Sequence, residues 1–438
     1  MRSKTSPRLA SGRGFLVYNE RMRFFADLEI HSRFARACSP DLTIPNIALW
    51  AAKKGIGVIG TGDFTHPQWM KEIKETLEPA ETGLYKLKSS PSTVRFLLSG
   101  EVSCIYSKGG RVRRVHHLVY APSIEIAENC NAKLSAVGNI RSDGRPIIGI
   151  TSKRLLELLL SASPECVLIP AHVWTPHFGV FGSASGYDSL KECFEEREPQ
   201  VFAIETGLSS NPAMNWRIPF LDNKAIISSS DAHSLHRIGR EATIFDTDLS
   251  YKEIFDALRA RDSRLAGTIE FFPEEGKYHY DGHRDCKVSW SPKETKRNKG
   301  LCSVCKRKVT VGVMARVEQL AAPDRPEGWR PAGAKPYFSL VPLEELIAEA
   351  LALGGASKAV RQMYEETIKK LGEELKILLD VPERELRDNL SERVAEAIVR
   401  VRQGKLHIEP GYDGEYGKIK IFDESERAKG AAAQTSLF

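Results

Sequence analysis

A chain of 438 residues is long enough for two or three domains and a large buried core, and its 42% hydrophobic and 27% charged content is that of an ordinary globular protein. No apolar run is long enough to span a bilayer and no signal-peptide h-region opens the chain, so a cytoplasmic location is expected. The net charge of +6 is too mild to identify a partner by itself, and of the eight cysteines only Cys286, Cys302 and Cys305 fall close enough together to act as a set.

Residues 1–21 are basic, rich in Ser and Gly and without period; they read as a flexible basic arm or as a start assigned upstream of Met22. The run FFADLEIH (24–31) then reads as a strand. Residues i and i+2 of a strand share a face, so Glu29 and His31 can hold one ion. Asp41–Gly55 spaces its apolar residues as a helix does and ends in two lysines and a Gly stop. The next apolar runs also end in ligand-type residues: Asp63 and His66, Glu101, the pair His116–His117, His172, and finally Asp231 and His233. Helix-like segments, among them SKRLLELLLSA, DSLKECFEE and SYKEIFDALRAR, alternate with them. The pattern predicts an α/β fold over residues 22–270: a parallel barrel whose strands aim their C-terminal ends at one metal cluster.

Imidazole nitrogens and carboxylate oxygens suit borderline or hard divalent ions, and two or three such ions close together can activate water for phosphoryl displacement. In order and type these motifs resemble those of the polymerase-and-histidinol-phosphatase (PHP) superfamily. The resemblance implies a distorted (β/α)7 barrel with a trinuclear metal site for phosphoester hydrolysis, holding zinc, manganese or magnesium. It makes Glu29, His31, Glu101, His117, His172, Asp231 and His233 the expected ligands, with Asp63 and His66 in or just behind the ligand shell. Asp63, His66, Asp231 and His233 are the candidate catalytic groups. Adjacent strand residues face opposite ways, so His116 replaces His117 if it is the one facing the barrel axis. Glu29 departs from the family pattern, which opens with His at that position.

After residue 270 the texture changes. Residues 271–340 are polar, aromatic and basic, and His283, Cys286, Cys302 and Cys305 have the spacing of a closed, structural zinc site, with His279 as a competing ligand. Around them Lys293, Lys296, Arg297, Lys306 and Arg307 form a basic patch suited to a phosphate backbone. Residues 341–410 are helical in pattern and are expected to bind DNA. Residues 411–438 form a Gly-rich turn segment and a flexible tail.

The barrel motifs followed by GKYHYDGHRDC, C-x2-C and PGYDGEYG resemble the endonuclease Q branch of the superfamily. That resemblance implies DNA repair: incision on the 5′ side of uracil, hypoxanthine, xanthine or an abasic site, close to the nucleoid. An enzyme of this type must extrude the damaged nucleotide. Trp174, Phe178 and Phe181, in the Gly-rich loop after His172, are expected to wedge into the stack or line a base pocket, and Asn211 to read a base edge. Gln434, Leu437 and Phe438 resemble the C-terminal peptide by which bacterial repair proteins bind the sliding clamp. A small-molecule phosphatase would explain the barrel alone. A non-catalytic DNA-binding protein with a decayed barrel as its scaffold is the other alternative, and the nearly complete ligand series argues against decay.

Overall fold

The computed structural model describes residues 22–423 and 425–426, so the basic arm and the clamp-like residues Gln434, Leu437 and Phe438 lie outside the described residues. The strand Met22–Asp27 occupies the middle of an eight-stranded sheet, parallel to Ile56–Gly60 and antiparallel to Ala242–Thr247. Arg95–Leu97 continues the sheet on one side and Leu265–Glu270 on the other. A four-stranded sheet is built on the hairpin Ser99–Lys108 and Arg111–Tyr120, with Val167–Pro170 along one edge. Ala203–Glu205 and Ala225–Ile227 form a parallel pair.

The α/β class is as expected; among the described residues the strands do not all run parallel, and their hydrogen bonding falls into separate ladders, which is compatible with a distorted barrel. The reason is local. Gly109 and Gly110 both sit at positive φ and close a two-residue turn between Lys108 and Arg111, which matches the right-handed twist of a hairpin. The strand Arg111–Tyr120 therefore runs back past its neighbour and brings its histidines in from the middle of a strand, not from its end.

Helices pack outside the sheets because each has one apolar stripe. Ile44–Lys54 starts with Pro inside its first turn, buries Ile44, Ile47, Ala48 and Ala51, and stops at Gly55, whose φ of 85° suits a left-handed cap. The C-terminal helical region breaks where its sequence has breakers: Lys358–Leu371 ends at Gly372 with φ 92°, and Glu383–Asn389 begins after Pro382. This region is joined to the barrel through a buried ion pair. Lys54 Nζ lies 2.6 Å from Glu374 Oε2 with both side chains almost wholly excluded from solvent, and Trp50 stacks on Tyr364 at 6.1 Å. Glu374 Oε1 also accepts from the Leu343 backbone N–H, at the start of another helix of the region.

Removing one member of such a pair leaves the other charged and buried. Glu374→Ala is expected to lower stability by about 3–5 kcal/mol, whereas Lys54→Met with Glu374→Leu should recover most of the loss, both read from urea unfolding.

Candidate functional site

Loops that follow four strands supply Glu29, His31, Asp63, His172, Asp231 and His233, while Glu101 and His116 come from within the hairpin strands, and three of these residues stand in backbone conformations that side chains rarely adopt. Asp63, His172 and Asp231 have φ of 46°, 29° and 47°. Strain of this kind costs on the order of 1–3 kcal/mol per residue and persists where the surroundings enforce it. Gly207 shows one such constraint: a Cβ there would come within 2.3 Å of the His172 Cβ.

His31 is the hub on one side. Its Nδ1 lies 3.0 Å from Asp63 Oδ1, while Asp63 Oδ2 accepts from the Ser32 backbone N–H at 2.6 Å and hydroxyl at 2.7 Å. Held this way, the ring turns Nε2 toward Glu101 Oε2 at 3.2 Å and Asp231 Oδ1 at 3.1 Å. Glu101 is the hub on the other side. Its Oε1 lies 2.6 Å from His116 Nδ1 and 3.2 Å from His172 Nε2, and its Oε2 lies 3.0 Å from an Arg145 guanidinium nitrogen. His233 stacks obliquely on His31 at 4.6 Å and its Nδ1 is 2.9 Å from the Asp231 carbonyl.

The ligand atoms of Glu29, His31, Glu101 and Asp231 lie within 4.8 Å of one another, as do those of Glu101, His116 and His172, and those of His31, Asp231 and His233. Several of these close approaches lack hydrogen-bond geometry: both oxygens of Glu29, His31 Nε2, His116 Nδ1 and Asp231 Oδ1 are buried with no hydrogen-bond partner. Buried polar atoms are normally paired. Orphaned nitrogen and carboxylate donors aimed at common points fit divalent metals in type and arrangement.

The charges tell the same story. Burial, together with the Glu205, Asp231 and Glu101 carboxylates, pushes Glu29 well above the usual carboxylate range. Burial opposes a charge on His31, but Asp63, Asp231 and Glu101 outweigh it and hold His31 protonated well above its ordinary value. Burial likewise opposes a charge on Glu101, yet His116 and Arg145 keep it ionised well below the usual range. The centre thus calls for positive charge among its carboxylates.

Several expected residues stand elsewhere. His117 is not in the cluster: it faces the opposite side of its strand, with Nε2 2.8 Å from the Ser152 hydroxyl and its ring against Phe194. His116 takes the inward place. His66 also lies outside the groups; it stacks on Phe34 at 4.6 Å and its Nε2 donates to the Arg141 carbonyl. Asp63 has both oxygens engaged by His31 and Ser32, so it orients a ligand and is not free to act as a base.

Trp174 and Phe181 are core residues at 1% and 0% exposure, packed on each other and unable to wedge into DNA. Trp174 donates to Asn215 Oδ1. Only Phe178 reaches the mouth, 4.3 Å from the His116 ring. Asn211 caps the helix Pro212–Trp216 by accepting from the Met214 N–H, which takes its carbonyl oxygen away from base reading.

Two residues escaped the sequence reading. Glu205 ends an apolar strand as the other candidates do, so its signal was present; its Oε2 accepts from the His172 backbone N–H at 2.9 Å. Arg145 sits in the irregular loop RSDGRP, where no periodicity singles it out.

The second metal group joins His283, Cys286, Cys302 and Cys305 within 4.8 Å. The hairpin Asp281–His283 and Val288–Trp290 carries the first two, and a turn in which Lys306 N–H donates to the Cys302 carbonyl carries the others. His279 is not in this group; it is buried against Tyr280. Lys293, Lys296, Arg297, Lys306 and Arg307 are all exposed. The helix Val313–Leu320 follows, and its Arg316 reaches back to the loop over the barrel, donating to the Phe181 and Tyr187 carbonyls and to Asp188.

Comparison with known proteins places these features. Residues 222–263 match the family described as PHP-associated, and residues 342–405 match the MJ0043 C-terminal domain. Protein MJ0043 of Methanocaldococcus jannaschii is 33% identical over 57% of this chain, which spans only 31% of that longer relative. Protein YqxK of Bacillus subtilis is 28% identical over 91% of this chain and 99% of its own length. Among solved structures, the lesion-specific endonuclease PfuEndoQ of Pyrococcus furiosus superposes with a TM-score of 0.81 and 30% identity, covering 95% of this chain and 99% of that one. A second structure, endonuclease Q bound to a 27-mer duplex with an abasic lesion at the active site, gives 0.80 and 31% identity over 92% of this chain and 98% of that chain.

His116→Ala is expected to lower the metal held by the barrel, while His117→Ala should leave metal content unchanged and cost about 1–3 kcal/mol through the lost Ser152 contact; elemental analysis beside thermal unfolding separates them. Burial pulls His279 down from 6.5 to about 4. The unfolded chain therefore takes up a proton there before the folded one does, and this contribution to stability, full above pH 6.5, is lost as pH falls toward 4. His279→Gln should flatten the dependence of unfolding free energy on pH across that window.

Proposed function

The chain belongs to the endonuclease Q family, and on that premise we propose that it is a metal-dependent DNA-repair endonuclease incising on the 5′ side of abasic sites and of uracil, hypoxanthine or xanthine. The observation that carries this reading is the end-to-end correspondence with a nuclease whose duplex places an abasic lesion at its active site. A small phosphatase would need the barrel but not the zinc-type module or the helices behind it, whereas the correspondence with that relative runs over 92% of this chain.

In this reading the barrel over residues 22–270 cuts. The module over 271–340, with one structural zinc and its exposed lysines and arginines, tracks the phosphates together with the helical region over 341–410. The last segment, 411–438, recruits the sliding clamp through Gln434, Leu437 and Phe438, which would bring the enzyme to the nucleoid. Two or three divalent ions, zinc, manganese or magnesium, would be held by Glu29, His31, Glu101, His116, His172, Asp231 and His233. Bound there, such ions lower the pKa of water and neutralise charge on the phosphodiester.

The chain's own groups do the positioning. Asp63 fixes the His31 ring so that Nε2 faces inward, and an acceptor of this kind behind a ligand histidine is worth roughly 10–100-fold in metal affinity or activity. Arg145 adds a guanidinium beside Glu101 where a scissile phosphate would arrive. Asp231 and His233 keep 25% and 31% of their side chains open to solvent while His31 and Glu101 are closed off, so the DNA strand approaches from their side. Phe178, on the rim beside His116, is placed to stack on an extruded base.

The first test uses end-labelled duplexes containing an abasic site, uracil, hypoxanthine or no lesion, incubated with Mg²⁺, Mn²⁺ or Zn²⁺. One cut 5′ of the lesion, abolished by chelator and absent from the undamaged duplex, is expected; hydrolysis of a chromogenic phosphomonoester without DNA incision would instead assign a phosphatase. Asp231→Ala or His233→Ala should lower incision by roughly 100-fold or more with DNA binding retained in a mobility-shift assay. Cys302→Ser should release one zinc, lower the melting temperature and weaken DNA binding, and normal folding and cutting without that zinc would remove the module from the reading.

A further inference from the structure

Beside the histidine-bearing cluster the barrel carries a second layer of acids that the metal centre does not use. Glu241 stands one residue before the strand Ala242–Thr247, and Glu270 ends the strand Leu265–Glu270. These strands are antiparallel, with Ala242 opposite Ile269 and Thr243 opposite Thr268, so one further step sets Glu241 across from Glu270. The Phe271 N–H donates to Glu241 Oε1 at 3.0 Å and fixes that carboxyl against the strand end. Both side chains are at 0% exposure. Like charges directly opposite in a sheet destabilise it, and here neither is relieved by water.

The hydroxyl groups around them give an independent observation. Ser228 and Thr268, at 0% and 3% exposure, have side-chain oxygens with no hydrogen-bond partner, and the same holds for both oxygens of Glu270 and for Glu241 Oε2. The Ser228 and Thr268 hydroxyls neighbour the Glu270 carboxyl, whereas the Thr206 hydroxyl is taken by the Ile227 carbonyl, to which it donates. Ser228 is held in place by its backbone N–H and carbonyl, both 3.0 Å from the Thr243 hydroxyl. Arg240 is the cationic side chain that acts on Glu241, and its Nε is engaged by the Ser230 carbonyl.

Carboxylate and hydroxyl oxygens without nitrogen or sulfur are the donor set of a hard cation, which takes six or more oxygens in a flexible shell. We infer that Glu241 and Glu270, with the Ser228 and Thr268 hydroxyls, form a seat for a hard divalent cation, Mg²⁺ or Ca²⁺, separate from the histidine-bearing centre. The cation offsets the facing carboxylates and supports the adjacent Glu205, whose Oε2 holds the His172 backbone N–H. A proton is the competing way to neutralise the layer, since burial pushes Glu270 up to about 8.

The inference does not depend on the nuclease reading, and one experiment tests it on the full chain with its barrel metals and zinc in place. Equilibrium dialysis against ⁴⁵Ca²⁺, and elemental analysis after dialysis against Mg²⁺, are run on the wild type, Glu270→Gln, Thr268→Val and His233→Ala. Expected are one Ca²⁺ or Mg²⁺ per chain and a calcium-dependent rise in melting temperature in the wild type. Glu270→Gln should lose both with zinc content unchanged, Thr268→Val should bind several-fold more weakly, and His233→Ala should retain the site. If Glu270→Gln does not fold, Thr268→Val decides alone. The inference is overturned if the wild type holds no such ion, if Thr268→Val binds as the wild type does, or if Glu270→Gln is as stable as the wild type with and without Ca²⁺, which would assign the neutralising role to a proton. Incision of the abasic duplex by the same wild-type sample keeps a failure here distinct from a failure of the nuclease assignment.

Discussion

Carboxylates cannot be packed together in a dry interior without positive charge between them, and much of the barrel is arranged around that constraint. At 4 Å and an effective dielectric constant of about 20, two like charges repel by about 4 kcal/mol. Glu29, Glu101 and Asp231 bring their oxygens into one group, with imidazoles and the Arg145 and Arg240 guanidinium groups as the cationic neighbours among the described residues. Metal ions relieve the repulsion and supply catalytic power together, so the feature that makes the site costly to build is also what makes it reactive.

The fold meets this constraint by fixing the donors from behind. Asp63 orients His31, the Glu205 carboxyl takes the His172 backbone N–H, and the hairpin Ser99–Lys108 and Arg111–Tyr120 sets Glu101 and His116 near each other on neighbouring strands. The left-handed backbones at Asp63, His172 and Asp231 belong to the same arrangement. A residue in relaxed strand geometry would aim its side chain along the pleat; the kinked backbone turns His172 and Asp231 toward the other ligand-type groups and Asp63 toward the back of the His31 ring. Strain at these positions is held by the hydrogen bonds just behind them.

Much of the centre was legible in the sequence because its ligands sit where apolar runs stop, and a run that stops at His, Asp or Glu is visible without a structure. The choice between His116 and His117 was not, since strand periodicity says only that they face apart, and the inward face is set by the Gly109–Gly110 turn and by Ser152 far along the chain. Trp174 and Phe181 show a different limit. Aromatic residues among glycines look like a displayed surface, yet these glycines allow the loop to fold back tightly and bury the rings: a Cβ on Gly179 would meet the Thr175 carbonyl oxygen at 2.6 Å. Asn211 illustrates the same limit at smaller scale, because a residue ahead of a proline-led helix is first of all a cap. The ion pair of Lys54 with Glu374 had no sequence signal, as its partners are 320 positions apart in number and belong to stretches of different texture.

The contacts of Arg316 bear on where this protein can be cut. The helix that carries it is anchored on the zinc-type segment, with the Val313 and Met314 N–H groups donating to the Tyr278 and His279 carbonyls. Its guanidinium then holds the loop after His172, which carries Phe178 against the His116 ring. The change of texture near residue 270 is therefore a seam in composition but not in mechanics. A fragment ending there would keep every barrel ligand and lose the brace on the loop beside His116, so the smallest unit that keeps this brace runs at least through residue 320.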